Sequence, residues 1–260
     1  MTRKESGRLE QGMPGRVAKK LLDLLYPPVC PFCGSISPKG ICDRCRKKII
    51  YVKEPYCMHC GKPLSDESQE YCHDCARRMD ADARHGDGRE GCCITQGRSL
   101  WIHREPVSGA VYGLKYKNKR NWGRIFGAEM EKVYGRQIRQ WKIQEIIPVP
   151  LHASRQRVRG FNQSEIIARE LSRLTGIPCR TDVLFRIKKT IPQKLLDNSQ
   201  RPTNLKGAFA VSGEWKAAVN VLLIDDIYTT GATLEKSAKM LRKAGARNVY
   251  FLTVSIGQGI

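Results

Sequence analysis

The sequence predicts an α/β fold, a parallel sheet with flanking helices, preceded by a small metal-binding module. Three observations predict it. Four C-x-x-C pairs crowd the first third of the 260-residue chain. Beyond them, apolar strand-like runs alternate with helical stretches, the order of a parallel sheet covered by helices. Finally, "VLLIDD" closes on two carboxylates and opens through "IYTTGAT" onto a helix, at the strand end where such sheets hold ligands.

The metal module comes first. Its pairs are Cys30/Cys33, Cys42/Cys45, Cys57/Cys60 and Cys72/Cys75, with eight residues between the first two pairs and eleven between the last two. A C-x-x-C turn aims two thiolates at one ion, and two turns complete the tetrahedron of a closed structural zinc site. Eight cysteines therefore make two Zn2+ sites, paired in chain order because the shorter loops close with less entropy. With no ligand position open to water, the zinc should hold together a module that lacks a core of its own. His59 and His73 read as exposed bystanders inside the knuckles, and Cys92, Cys93 and Cys179 as small buried apolar residues. Thiols in this pattern suit a metal in a reducing compartment better than bridges between near neighbours.

Before the module, "VAKKLLDLLYPP" has apolar residues at Val17, Leu21, Leu24 and Leu25 and ends at Pro27 and Pro28, the spacing of an amphipathic docking helix. No secretory leader and no run of about 18 apolar residues is evident, so a cytoplasmic protein without a transmembrane segment is expected. After the module, Arg77 to Gly91 is polar and poor in large apolar residues, which sets a boundary. The expected division is an N-terminal helical segment (1–28), a double ribbon (29–80) and the α/β domain (90–260).

Within that domain the pattern predicts a strand at Cys92 to Thr95, then helices across "EPVSGAVYGLKYK" and "WGRIFGAEMEKVYGRQIRQW". A strand "EIIPVP" (Glu145 to Pro150), a basic loop and a helix "NQSEIIARELSRLTG" follow. The strand "AAVNVLLIDD", the helix "GATLEKSAKMLRKAG" and the strand "NVYFLTVSI" complete it.

Lys and Arg number 46 against 25 Asp and Glu, a net charge of +21, which favours polyanionic partners without choosing among them. The site narrows the choice. A helix start with free amides, and Thr229, Thr230 and Thr233 around Gly231, suits a phosphate. Asp225 and Asp226 would repel that phosphate but can accept hydrogen bonds from vicinal sugar hydroxyls, directly or through a metal. A phosphorylated pentose fits both halves.

Basic segments flank this site. "HASRQRVRGFNQS" alternates Arg155, Arg157 and Arg159, with Phe161 as a stacking face and Asn162 and Gln163 as amides. "LKYKNKRNWGR" interleaves five basic residues with Tyr116 and Trp122. Forked phosphate contacts and stacked bases suit either pyrophosphate or single-stranded DNA. A third run, "RIKKTIPQKLLDNSQRPTNLKG", reads as a lid that excludes water from the site.

"LLIDDIYTTGAT" resembles the phosphoribosyl pyrophosphate (PRPP) signature of type I phosphoribosyltransferases, with Tyr228 where many members carry an aliphatic residue. "LYPPVCPFCG", "CMHCGKP", "LKYK", "IIPVPLHASRQRVRGFNQS" and "RIKKTIPQKLLDNSQRPTNLKGAF", in this order, resemble the ComF (ComFC) competence-protein family over roughly residues 20 to 255. The resemblance implies a type I phosphoribosyltransferase-like sheet and a part in natural transformation or DNA uptake, with PRPP, single-stranded DNA and DNA-import proteins at the membrane as partners. It implies that Asp225 and Asp226 hold the ribose hydroxyls. It also implies that Tyr228, Thr229, Thr230, Gly231, Ala232 and Thr233 wrap the 5-phosphate and that Mg2+ accompanies the pyrophosphate. Leu151, His152, Arg155 and Arg159 match the place where pyrophosphate is gripped; Arg157, Arg186 and Arg201 join them as candidates for pyrophosphate or DNA phosphate. Gln193 and Asn204 match further polar positions of the family. Three functions follow: a PRPP-binding, strand-handling competence factor, ranked first; a phosphoribosyltransferase acting on a nucleobase or amine; and a PRPP-sensing regulator. No acceptor pocket, no amidotransferase nucleophile and no double-strand reader stands out, so no catalytic residue is assigned.

Overall fold

The structure is a computed structural model and describes residues 27–85, 92–188 and 207–257. The helix expected at Val17 to Leu25 lies outside these residues, as do Gln193, Arg201, Asn204 and most of the basic run expected to act as a lid. The chain divides into two compact units, Met1–Arg46 and Lys47–Ile260. The division falls between the second and third cysteine pairs.

In the first unit, Pro28 to Ile36 folds back on itself through the bridge between Val29 and Ile36, with Cys30 donating from its amide to Ser35 O. Helix α1 (Asp43–Arg46) carries Cys45. The second unit repeats the same turn at Cys57, whose amide donates to Lys62 O beside a bridge between Tyr56 and Pro63. The residue after each knuckle, Gly34 or Gly61, has a positive φ of 74° or 71°. At Gly61 a side chain would also meet Gly97 O at 2.8 Å, so this ribbon is pressed against the following strand. Helix α2 (His73–His85) leaves the second cysteine quartet.

The rest is a four-stranded parallel sheet of β1 (Gln96–Ile102), β6 (Asn248–Ile256), β5 (Asn220–Tyr228) and β2 (Glu145–Pro148), hydrogen-bonded in that order. Helices α3 (Val107–Tyr116) and α4 (Arg120–Gln140) join β1 to β2. Helices α5 (Ala153–Arg159) and α6 (Gln163–Thr175) and the hairpin β3 (Leu184–Arg186) and β4 (Phe209–Val211) join β2 to β5, and α7 (Ala232–Lys243) joins β5 to β6. The centre strands are apolar on both faces, as a covered parallel sheet requires. Val221, Leu223, Val249 and Phe251 face Leu234, Ala238 and Leu241 of α7. The alternate residues Leu222, Ile224 and Leu252 are equally buried, on the side where α4 and α6 pack.

Both sheet edges are covered, which removes a template for aggregation. Val52 donates to Leu100 O and Ile102 to Ile50 O along β1, while Ile146 of β2 pairs with residues 178 to 180.

Of the eight strands and helices predicted in this domain, seven stand where the pattern put them; one strand and the basic loop do not. The strand expected at Cys92 to Thr95 begins instead at Gln96. Arg98, inside this strand, is buried because it lies over the Tyr56 ring at 4.2 Å and donates to Met58 O at 3.4 Å, contacts that exist only once the ribbon docks. The basic loop after β2 contains α5, capped by His152, whose ring accepts from the Ser154 amide. Its seven residues bury no side chain and so leave no apolar period.

Candidate functional site

The carboxyl ends of all four strands lie along one edge, and the central strand β5 delivers Asp225 and Asp226 there. The two acids differ. Asp225 accepts from Ser164 Oγ at 3.0 Å and from the Asp226 amide at 2.9 Å, and its carboxyl is pushed up to about 7, by burial first and by the charge of Asp226 second. Asp226 is buried and faces Lys115 Nζ of α3 at 2.8 Å. At the end of β1, His103 shares a hydrogen bond with Ser255 Oγ at 2.9 Å; burial, then Lys115, push its ring below the usual histidine range. The sequence reading gave His103 no role and gave Lys115 only a place in a basic run; "IHRE" and "LKYK" follow β1, which was the available signal.

The loop after the acids has the geometry of an anion cradle. Gly231 sits at the N-cap of α7 with a φ of 76° and carries no side-chain cap, so a helix N-terminus, with its positive dipole end, faces the loop. Thr229 is exposed, and Thr230 Oγ1 is buried with no hydrogen-bond partner, a donor already desolvated for something to accept. Ala232 and Thr233 form the first turn. Tyr228 behaves differently from its neighbours: its ring is buried, stacks on Phe251 at 5.1 Å, and lies under Gly231, where a Cβ would meet its Oη at 2.5 Å. Its side chain therefore supports the loop from below, and burial raises its hydroxyl well above the usual range.

Of the basic candidates, Arg155 is half-buried beside Tyr116 and Arg159, and Arg186 is half-buried over Phe209 and within electrostatic reach of Arg155 and Asp225. Burial lowers both guanidinium groups, a cost that a bound anion would offset. Arg157 is exposed, and His152 spends one ring nitrogen on the α5 cap. The residues expected to stack and hydrogen-bond near "GFNQ" are structural instead. Phe161 is buried beneath Arg120 at 4.9 Å, Asn162 caps α6 and donates to Val149 O, and Gln163 accepts from Arg159.

Exposed aromatic surface lies on α3. Tyr112 and Tyr116 are 54% and 56% exposed, their rings are 4.8 Å apart, and Arg159 lies over Tyr116 at 5.1 Å. Tyr112, Lys115 and Tyr116 are three and four residues apart, one helix face. A cavity of about 570 Å³ lined by Arg120, Arg124, Gln156 and Arg169 continues the basic surface past Phe161.

The cysteines gather in chain order, Cys30, Cys33, Cys42 and Cys45 in one group and Cys57, Cys60, Cys72 and Cys75 in the other. Zn–S bonds of about 2.3 Å put tetrahedral sulfurs about 3.8 Å apart. Cys33 and Cys42, and likewise Cys60 and Cys72, are 3.7 Å apart, which fits zinc and is far too long for a disulfide. His59 is buried, with Nδ1 3.4 Å from Cys75 Sγ and Nε2 3.0 Å from Ile94 O, so it braces the second site, while His73 is exposed. Cys92, Cys93 and Cys179 are only partly buried. His59, Cys92 and Glu235 also approach one another, but Glu235 already accepts from the Cys93 amide and Cys92 and faces Arg78.

Comparison with known proteins agrees with this arrangement. Residues 21–76 match the model of the double zinc ribbon domain. The chain is 33% identical to Competence protein F of Haemophilus influenzae over 227 residues, 82% of this chain and 89% of that one. The chain belongs to the ComF family of competence proteins. Competence protein ComFC of Bacillus subtilis is 26% identical over 79% of each chain. The DNA utilization protein YhgH of Salmonella typhimurium is 25% identical over 87% of this chain and 96% of its own. Among solved structures, a purine phosphoribosyltransferase from Pyrococcus horikoshii Ot3 aligns with 52% of this ComF chain and 74% of its own, at 19% identity and a TM-score of 0.33. No helix among the described residues is long and apolar enough to cross a membrane.

Proposed function

We propose that this ComF protein binds PRPP at the β5–α7 loop and single-stranded DNA on the adjoining face of α3, as a strand-handling factor in DNA uptake. One observation carries the reading. A single turn of α3 presents Lys115 to Asp226 and, on the same face, the exposed Tyr112 and Tyr116 pair with Arg159. The sugar-phosphate site and the stacking surface are thus built on one helix.

The chain's groups divide the work by charge. The N-terminus of α7, Thr229 and the orphaned Thr230 hydroxyl would take the 5-phosphate. Asp225 and Asp226 would accept from the ribose hydroxyls, and Arg155 and Arg186 would face the pyrophosphate. Mg2+ would supply charge neutralisation among the pyrophosphate oxygens when bound. Tyr112 and Tyr116 would take unpaired bases, with Arg157, Arg159 and the lysines that follow α3, Lys117 and Lys119, tracking the strand backbone.

A fluorescent oligodeoxythymidine and PRPP titrated onto the same variants test this. Tyr112→Ala with Tyr116→Ala should weaken the strand by roughly 1–3 kcal/mol per stacked base and leave PRPP affinity unchanged. Asp225→Asn with Asp226→Asn should do the reverse. Replacing Arg157 and Arg159 by Ala should reduce the salt slope of strand binding by about 0.7 for each phosphate no longer neutralised. Strand affinity indifferent to all four side chains would place the DNA path elsewhere.

One observation favours a second reading, transfer of the phosphoribosyl group to a nucleobase or amine. The Asp225 carboxyl, pushed up to about 7, is suited to accept a proton at neutral pH. Pyrophosphate release from Mg2+ and PRPP with ammonia or a nucleobase, lost in Asp225→Asn, would support it; binding without release would exclude it.

A further inference from the structure

Helix α2 starts at the second cysteine quartet, and its Arg78 ends against the phosphate loop. Its Nη2 donates to Thr230 O at 2.5 Å, Nη1 is 3.7 Å from Glu235 Oε1 on α7, and the guanidinium lies within electrostatic reach of Tyr228. These contacts bracket the cradle: the residue beneath it, the peptide at its apex and the helix behind it. The pull of Tyr228, Glu235 and Cys75 on this group outweighs desolvation, raising its pKa further. A half-buried cation held by the Thr230 carbonyl and facing Glu235 is oriented towards the loop.

The bond to Thr230 O matters because of peptide geometry. In a planar trans peptide the carbonyl oxygen and the following N–H point in opposite directions. Holding Thr230 O towards Arg78 therefore turns the Gly231 N–H away from the ribbon. Gly231, at a φ of 76°, is the residue whose backbone could most readily flip that plane. Arg78 supplies what the loop's own sequence lacks, a lock on that peptide.

We propose that Arg78 is a positioning residue that fixes the Thr230–Gly231 peptide for phosphate binding, making the second zinc ribbon a working part of the ligand site. This rests on the reading of that loop as the seat of the PRPP 5-phosphate. It carries a reciprocal consequence. If the ribbon holds the loop in its binding form, ligand on the loop must in turn hold the ribbon, and with it the zinc.

The test uses the full chain loaded with two zinc ions, as wild type, Arg78→Ala and Arg78→Lys. Calorimetry is run with Mg2+ and PRPP, with ribose 5-phosphate, and with pyrophosphate, which has no 5-phosphate. Arg78→Ala should weaken PRPP and ribose 5-phosphate together, by roughly 10- to 100-fold for the loss of one charge-assisted hydrogen bond, and leave pyrophosphate unchanged. Arg78→Lys keeps one donor for Thr230 O and should recover part of the loss. Release of the second zinc to a chromogenic chelator should slow when PRPP is added to the wild type, and not when it is added to Arg78→Ala. Wild-type affinity in Arg78→Ala, or an equal loss for all three ligands with zinc already depleted, overturns the proposal. Absence of PRPP binding by the wild type removes the reading beneath it, and the proposal with it.

Discussion

Asp225 should destabilise the protein that carries it. Its carboxyl titrates near 7, against an ordinary value of 3.8, so at pH 8 the folded state holds an ionised group that burial and Asp226 both oppose. About three pKa units at 1.36 kcal/mol each set a ceiling of about 4 kcal/mol; partial exposure of the residue and its coupling to Asp226 reduce this to about 2 kcal/mol. Asparagine has nearly the same shape, and its carbonyl can keep both bonds, from Ser164 Oγ and the Asp226 amide. Asp225→Asn should therefore raise the melting temperature at pH 8 by about 4–8 °C for a unit of this size. The sign follows from linkage. Between 3.8 and 7 the folded chain holds more protons than the unfolded one, so wild-type stability from this group falls as pH rises through that window. The variant's advantage should be largest above pH 7 and shrink towards pH 4. Calorimetric melting at several pH values measures it; a loss of stability at pH 8, or an advantage that grows on acidification, would refute the reasoning. A group costly at rest and relieved by a ligand is what a binding site retains.

Other outcomes follow from the same contacts. Lys115→Met leaves Asp226 buried without its partner and should cost about 3–5 kcal/mol, with most of it recovered when Asp226→Asn is added; chemical denaturation of the four chains of this cycle decides. Cys57→Ser should lower the zinc content from two ions to one and open Lys47–Ile260 to proteolysis while sparing the first cysteine quartet, read by metal analysis and mass mapping. Gly231→Ala must place a methyl where Tyr228 Oη stands, at 2.5 Å, in a backbone region that side chains disfavour. It should weaken phosphate ligands and destabilise by about 1–3 kcal/mol, and a variant with unaltered melting would show the loop to be softer than this.

The strand and helix around the β5–α7 loop were legible because they obey simple rules: an apolar run, two acids, a glycine, then a helical period. The cysteine spacing was equally direct, since a metal fixes its ligands more tightly than any apolar pattern does. What was not legible depends on distant partners. The strand at Gln96–Ile102 was placed too early, because Arg98 is buried there only by Tyr56 and Met58 of the ribbon. Phe161, Asn162 and Gln163 looked like ligand groups in a basic loop, whereas a seven-residue helix and the start of α6 claim them for packing and capping. Tyr228 was read as part of the phosphate wrap, but its ring fills the space under the loop. Arg78, 152 positions from the carbonyl it holds, left no trace in any local motif.

The central claim is that the β5–α7 loop is a PRPP site. Titration of the zinc-loaded chain with Mg2+ and PRPP, beside ribose 5-phosphate and free pyrophosphate, tests it most directly. The account predicts one PRPP per chain, bound more tightly than either fragment and lost in Asp225→Asn with Asp226→Asn. A folded, zinc-loaded chain that gives no heat with PRPP, or that binds it equally well once the acidic pair is removed, would contradict it.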